Sequence, residues 1–281
     1  MQVLRLKKEL EDLLFSYKIN NHTIGFVPTM GALHDGHASL VAKAIKENSI
    51  TVVSIFINPT QFDNKEDLDK YPTNLDKDIL LLKKLSDKIL IFAPSASEVY
   101  NQNINSKEYS FNGLEKIMEG QFRPGHFNVV ATIVELLLNS VKPTRAYFGE
   151  KDFQQLLIIK KLVEIKNIPT EIINCPIERE TNGLARSSRN ERLSKPTREM
   201  GGFILKTLKA AKSQFGTNNV QTIVAFVTTE FEKNALFELE YFQIVDENTL
   251  NPILEKQKNI KYRAFIAVYT EGIRLIDNIA L

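Results

Sequence analysis

The stretch Phe26–His37, FVPTMGALHDGH, decides how the first part of the chain folds. It opens in a short apolar run, Thr23–Pro28, with the look of a buried strand. Two glycines, Gly31 and Gly36, and two histidines three residues apart, His34 and His37, follow. Leu40, Val41, Ala44 and Ile45 then recur at helical spacing, which predicts a helix from about His37 to Asn48. The reading is strand, glycine-bearing turn, helix. In an open α/β sheet that turn lies at the carboxyl end of a strand, where ligands bind. A helix N-terminus offers unpaired N–H groups and partial positive charge to a phosphate. The glycines let backbone approach a ligand and adopt φ > 0. Imidazoles at His34 and His37 can donate hydrogen bonds to phosphate oxygens and stabilise the charge of a departing pyrophosphate. The bland alternative is a tight turn with one capping and one solvated histidine. Two of the chain's four histidines sit in this one loop, and its strand–turn–helix setting favours the phosphate site.

Working outward, strand-like and helix-like segments alternate through the first two thirds. Ile50–Ile57, ITVVSIFI, is almost wholly apolar and β-branched, as a central parallel strand should be. Lys65–Leu85 reads as a charged helix that Pro72 must interrupt. Lys88–Pro94 is a strand, His126–Val141 a well-patterned helix, Arg145–Gly149 a strand, Asp152–Asn167 a helix and Thr170–Pro176 a strand. A first helix carries Leu6, Leu10, Leu13, Leu14 and Tyr17 on one face. This alternation predicts an α/β fold, a Rossmann-like, doubly wound parallel sheet covered on both faces. After residue 176 the texture changes: a polar, aperiodic run, helices over about Thr197–Gln214 and Val220–Lys233, then strand-like LEYFQIVD, YRAFIAVY and GIRLIDNIAL. The expected organisation is a domain over 1–176 and a second, smaller α+β domain over 177–281.

Composition narrows the function. The chain has 281 residues, 43% of them hydrophobic and 25% charged, with a net charge of +2. That balance is ordinary for a globular protein and gives no general electrostatic case for nucleic acid. No stretch approaches the ~18 apolar residues of a membrane helix, and charges interrupt every apolar run near the N-terminus, so a cytoplasmic protein is expected. The single cysteine, Cys175, has no metal-ligating neighbour in sequence and reads as a buried apolar residue.

The loop TMGALHDGH resembles the nucleotide-binding loop of the pantothenate synthetase (pantoate–β-alanine ligase) family, that family's form of the H-x-G-H signature of nucleotidyltransferases and class I aminoacyl-tRNA synthetases. The resemblance continues, in order, through FINPTQF (Phe56–Phe62), RPGHF (Arg123–Phe127), YFGEKDFQQL (Tyr147–Leu156) and GLARSSRN (Gly183–Asn190). It covers roughly residues 20–195. The resemblance implies two steps: adenylation of pantoate by ATP, then attack by β-alanine. It also implies magnesium accompanying ATP, a homodimer, and a C-terminal domain acting as a mobile lid.

By the same resemblance, Met30, Gly31, Ala32, Leu33, His34, Asp35, Gly36 and His37 wrap ATP, with His34 and His37 catalytic on its phosphates. Gln61 binds pantoate and the β-alanine site, and Gln155 binds pantoate. Gly149, Glu150, Lys151 and Asp152 form a second ATP segment, with Lys151 on the phosphates. Arg186, Ser187, Ser188 and Arg189 form a third. Plainer readings stand beside these: Gln61 as a solvated loop residue, Asp152 and Gln155 as a helix-capping pair, and residues 186–189 as a polar linker. Arg186 and Glu178 stand where the family commonly carries apolar residues. No residue is assigned to a metal: Asp76 and Asp78 could touch the magnesium that accompanies ATP, but a charged helix face is the preferred reading. Arg123 and His126 stay outside the assigned set. The rivals are another H-x-G-H adenylyltransferase and a non-catalytic nucleotide-binding relative. The first lacks the NPTQF and SSRN pair. The second would have lost a working residue, whereas here all of them are present.

Overall fold

The computed structural model describes residues 1–61, 73–100 and 105–281. Backbone contacts divide the chain into two compact units: Met1–Glu150 with Gln155–Pro176, and Lys151–Gln154 with Ile177–Leu281.

The first unit is built on a six-stranded sheet, with β1 Gln2–Leu4, β2 Ile24–Thr29, β3 Ile50–Ile55, β4 Leu90–Phe92, β5 Arg145–Gly149 and β6 Glu171–Cys175 in the order β1-β4-β3-β2-β5-β6. Every pairing is parallel. The sheet grows outward in both directions from β2, so the switch in strand order lies beside the end of β2. The three-residue strand β1 has no counterpart in the apolar pattern of the sequence and forms the sheet edge by pairing with β4.

Helices α1 (Lys7–Ile19), α2 (Asp35–Glu47) and α3 (Leu75–Leu85), the short α4 (Ala96–Tyr100) and α5 (Glu119–Phe122), α6 (His126–Val141) and α7 (Phe153–Ile165) run between the strands. Alternation explains the layering. Val27, Val53 and Ile91 share one face of the sheet and pack with Val41 and Ala44 of α2 and Leu82 of α3. Their neighbours Phe26, Val52 and Leu90 point to the other face and are equally buried. A sheet buried on both faces needs the apolar strands that the sequence has. Of the charged helix read over Lys65–Leu85, only Leu75–Leu85 is a described helix, with its N-cap at Asn74. Phe62 and Pro72 lie outside the described residues.

The second unit holds an antiparallel sheet of β7 (Glu238–Asp246), β8 (Tyr262–Thr270) and β9 (Ile273–Ala280). Against it pack α9 (Gly202–Phe215) and α10 (Val220–Glu232), which follow the short α8 (Lys195–Met200). The single helix expected over Thr197–Gln214 is therefore two, broken at Gly201. A Cβ at Gly202 would collide with the Asn182 carbonyl oxygen, so the close approach of another chain segment overrides helical periodicity there.

Candidate active site

Three adjacent parallel strands of the first unit end at three of the motifs. Strand β2 ends at Thr29 and leads into Met30–Asp35; β3 ends at Ile55 and leads through Asn58 into a 3-10 turn, Pro59–Gln61; β5 ends at Gly149 and leads into Glu150. The carboxyl ends of β3, β2 and β5 thus carry Gln61, the histidine loop and Gly149–Glu150 on one edge of the sheet. Gln155 belongs to α7 of the same unit.

The loop folds back on its own sheet. Thr29 donates its hydroxyl to the Ser54 carbonyl at 2.7 Å and accepts the Gly31 N–H at 3.2 Å. Gly31 has φ +79°, and a Cβ there would lie 3.0 Å from Asp78 Oδ2 and 3.2 Å from Ile55 Cγ2, so a side chain there would be both strained and crowded. Ala32 is also left-handed, φ 51°. That turn is held by a residue whose sequence pattern assigns it to a charged helix face. Asp78 of α3 accepts the Ala32 N–H at Oδ2 (3.1 Å) and the Leu33 N–H at Oδ1 (2.8 Å). It is 4% exposed, so it is no part of a solvated charged face, and that expectation fails for it. Asp76, on the same helix, is exposed. Burial pushes the Asp78 carboxyl above its ordinary range, opposed by the Leu33 and Ala32 N–H groups.

The histidines start α2. His34 is its N-cap, in extended backbone, and its Nδ1 accepts the Gly36 N–H at 3.1 Å; His37 Nδ1 accepts the His34 N–H at 3.4 Å. This is a reciprocal capping box made of two imidazoles. Capping starts the helix at Asp35 rather than near His37. With Nδ1 committed as an acceptor, a neutral ring carries its proton on Nε2, which makes each ring a donor on its far side. The rings lie 4.1 Å apart between centroids. Capping therefore occupies one edge of each imidazole and does not by itself exclude a donor role at the other.

The turn that carries Gln61 rests on buried Asn58, whose Oδ1 accepts from the Tyr100 hydroxyl at 2.7 Å and the Thr60 hydroxyl at 2.9 Å. Arg123 donates to the Gln61 carbonyl at 3.4 Å and its Nη1 lies 3.1 Å from His126 Nε2. Asn58, Tyr100 and Arg123 position the backbone around Gln61. Cys175 is buried, and burial pushes its thiol up to about 11, as suits an inert core residue.

The remaining candidates belong to the second unit. The Lys151 ammonium lies 3.0 Å from the Asp152 carboxylate, in a 3-10 turn, Glu150–Asp152, that precedes α7. Arg186–Arg189 follows a tight hairpin in which Arg179 bridges Ala185 and the Arg186 N–H donates to the Glu178 carbonyl at 2.9 Å. The two positions that depart from the family pattern are backbone partners. Ser187 caps the next turn by accepting the Arg189 N–H at 3.2 Å. Among the described residues, no group of three or more His, Cys, Asp or Glu side chains is placed to hold a metal ion, and no helix is long and apolar enough to cross a membrane.

A family model described as pantoate-beta-alanine ligase matches residues 2–280. Pantothenate synthetase of Christiangramia forsetii is 53% identical over 281 residues, covering 100% of this chain and 99% of the relative; that of Flavobacterium psychrophilum is 50% identical, with 100% of both covered. Among solved structures, pantothenate synthetase of Thermus thermophilus superposes with a TM-score of 0.90 at 37% identity, covering 99% of each chain. The Francisella tularensis pantoate-beta-alanine ligase, complexed with beta-gamma ATP and beta-alanine, superposes with a TM-score of 0.81 at 37% identity, covering 100% of this chain and 97% of that one. The chain belongs to the pantoate-beta-alanine ligase family.

Proposed function

We propose that the protein condenses pantoate with β-alanine by way of a pantoyl adenylate. The pantoate carboxylate attacks the α-phosphorus of ATP, and the bond to the β-phosphate oxygen breaks with release of pyrophosphate. The β-alanine amine then attacks the acyl carbon of the mixed anhydride. The amide bond forms, a proton leaves the nitrogen, and AMP departs, giving pantothenate. Adenylation is needed because a carboxylate is a poor electrophile.

The observation that carries this reading is the placing of the histidine loop, Gln61 and Gly149–Glu150 at the carboxyl ends of three adjacent strands, beside the switch in strand order. The positive end of the α2 dipole and the Nε2–H groups of His34 and His37 suit a triphosphate. A carboxylate nucleophile has no proton to lose, so in the first step the imidazoles stabilise charge rather than take a proton. Gln61 and Gln155 offer amides that both donate and accept, matching pantoate's carboxylate and hydroxyls. Lys151, Asp152, Arg186, Ser187, Ser188 and Arg189 add cationic and hydroxyl partners for the nucleotide. Magnesium would arrive with ATP and neutralise phosphate charge. A homodimer in the cytoplasm, with the second unit as a lid, completes the reading.

The test is isotope exchange between pyrophosphate and ATP with pantoate and magnesium, in the absence of β-alanine. Exchange that depends on pantoate is expected. Folded protein that gives none would rule out the adenylate.

A further inference from the structure

Strand β9 breaks its own alternation. Ile273, Leu275 and Asp277 are buried while Arg274 and Ile276 are partly exposed, as a half-buried strand requires. By that register Asn278 should face outward, yet it is 1% exposed. Its amide is used in both directions: Nδ2 donates to the Lys151 carbonyl at 3.0 Å, and Oδ1 accepts from Arg263 Nη1 at 2.7 Å. Arg263, on β8, is itself buried; its guanidinium carbon lies 3.9 Å from the centre of the Phe153 ring, with the Glu247 carboxylate 3.4 Å from Nε. The segment Lys151–Gln154 is thereby gripped at the backbone of Lys151 and at the ring of Phe153.

The neighbouring Asp277, 3% exposed, makes a two-pronged pair with Arg179, 2.7 and 2.9 Å. Arg179 also donates to the Gly183 carbonyl at 3.0 Å, within the hairpin that runs into Arg186–Arg189. Burying an amide and a carboxylate is unfavourable unless each is paired. Here part of the pairing stays within the sheet, at Arg263 and the Asn278 N–H, and part reaches two other segments: Lys151–Gln154 and the hairpin that leads into Arg186–Arg189.

We propose that Asp277 and Asn278 are positioning residues for those two segments. Asn278 fixes the Lys151 carbonyl, and so the direction in which the lysine ammonium leaves the backbone. Asp277, through Arg179, fixes the hairpin that presents Ser187, Ser188 and Arg189. The inference rests on the reading of Lys151 and Ser187–Arg189 as ATP contacts.

The discriminating variant is Asn278→Asp, which keeps an acceptor for Arg263 but replaces the donor to the Lys151 carbonyl with a second oxygen. Asn278→Ala, which adds no charge, gives the same comparison should the carboxylate prevent folding. ATP affinity by calorimetry, KM for ATP and for pantoate, and the melting temperature are measured for each, alone and combined with Lys151→Ala. The expected result is a roughly tenfold rise in Kd and KM for ATP, an unchanged KM for pantoate, and no further loss when the variant is added to Lys151→Ala. ATP parameters equal to those of the unsubstituted protein would overturn the proposal, as would losses that multiply with Lys151→Ala. Failure of the unsubstituted protein to bind ATP would instead remove the functional reading beneath it, and the two failures are told apart by which protein shows them.

Discussion

The carboxylate of Asp78 accepts the backbone N–H of Leu33 at 2.8 Å, joining residues 45 positions apart in the chain. With the Ala32 contact, this makes the shape of the histidine loop depend on a side chain from another helix. Asp78→Ala should leave two loop N–H groups unpaired and cost about 1–3 kcal/mol in the stability of the first unit. Asp78→Asn keeps one acceptor and should fall between. Because burial raises this carboxyl, the stability it contributes is complete below its unfolded value near 3.9 and is lost as pH rises through the folded value. Urea unfolding of Asp78→Asn across pH should lack that component. An unchanged profile would mean Asp78 does not carry it.

On the proposed function, His34 both caps α2 and donates to phosphate, and a substitution separates the two. Asn accepts the Gly36 N–H as well as an imidazole Nδ1 does but cannot supply Nε2–H. His34→Asn should therefore melt close to the unsubstituted protein while pyrophosphate–ATP exchange falls by about 10²–10³. His34→Ala should lose the exchange and, in addition, about 1 kcal/mol of stability. Full exchange in His34→Asn would reduce the residue to a cap.

Glu135 gives the opposite pH sign to Asp78. Burial of Glu135 on α6 works to raise its carboxyl, but the Tyr109 hydroxyl at 2.5 Å and the Lys107 ammonium at 3.0 Å, with the Lys166 charge, hold it below the usual range. Its contribution is present above the unfolded carboxylate value, about 4.3, and is lost as pH falls through the folded value. Glu135→Gln should be less stable at neutral pH and should lose less on acidification. Equal acid sensitivity in the two proteins would remove Glu135 from the account.

Ser187→Ala removes the acceptor of the Arg189 N–H. If Ser187 only starts its turn, melting falls by up to about 1 kcal/mol in stability and ATP binding is untouched. If it also meets the nucleotide, KM for ATP rises. Kinetics over a range of ATP concentrations distinguish the two.

How far the sequence reaches follows from which forces act locally. The β2–loop–α2 unit is legible because apolar runs, glycines and a cap all act within a few residues. The all-apolar Ile50–Ile55 points to a doubly covered parallel sheet for the same reason. Asp78 escapes such a reading because helical spacing tells which face a residue lies on and not what lies against that face. Asn278 escapes it because strand alternation puts it outside, and the carbonyl its amide donates to lies 127 residues away in the chain. The break at Gly201 depends likewise on contacts from Asn182 and Leu184. The edge strand β1 is too short for any period to register.

The tether between Asn278 and the Lys151 carbonyl also bears on when the protein becomes competent. A ribosome finishes the whole six-stranded sheet before it reaches β9. Until residue 278 has emerged, Lys151 lacks the partner that fixes its backbone. A chain stopped before Asp277 would keep Lys151 and Arg179 and lack the side chains that bond them here. The last strand to be made thus carries the partner of a segment made 127 residues earlier.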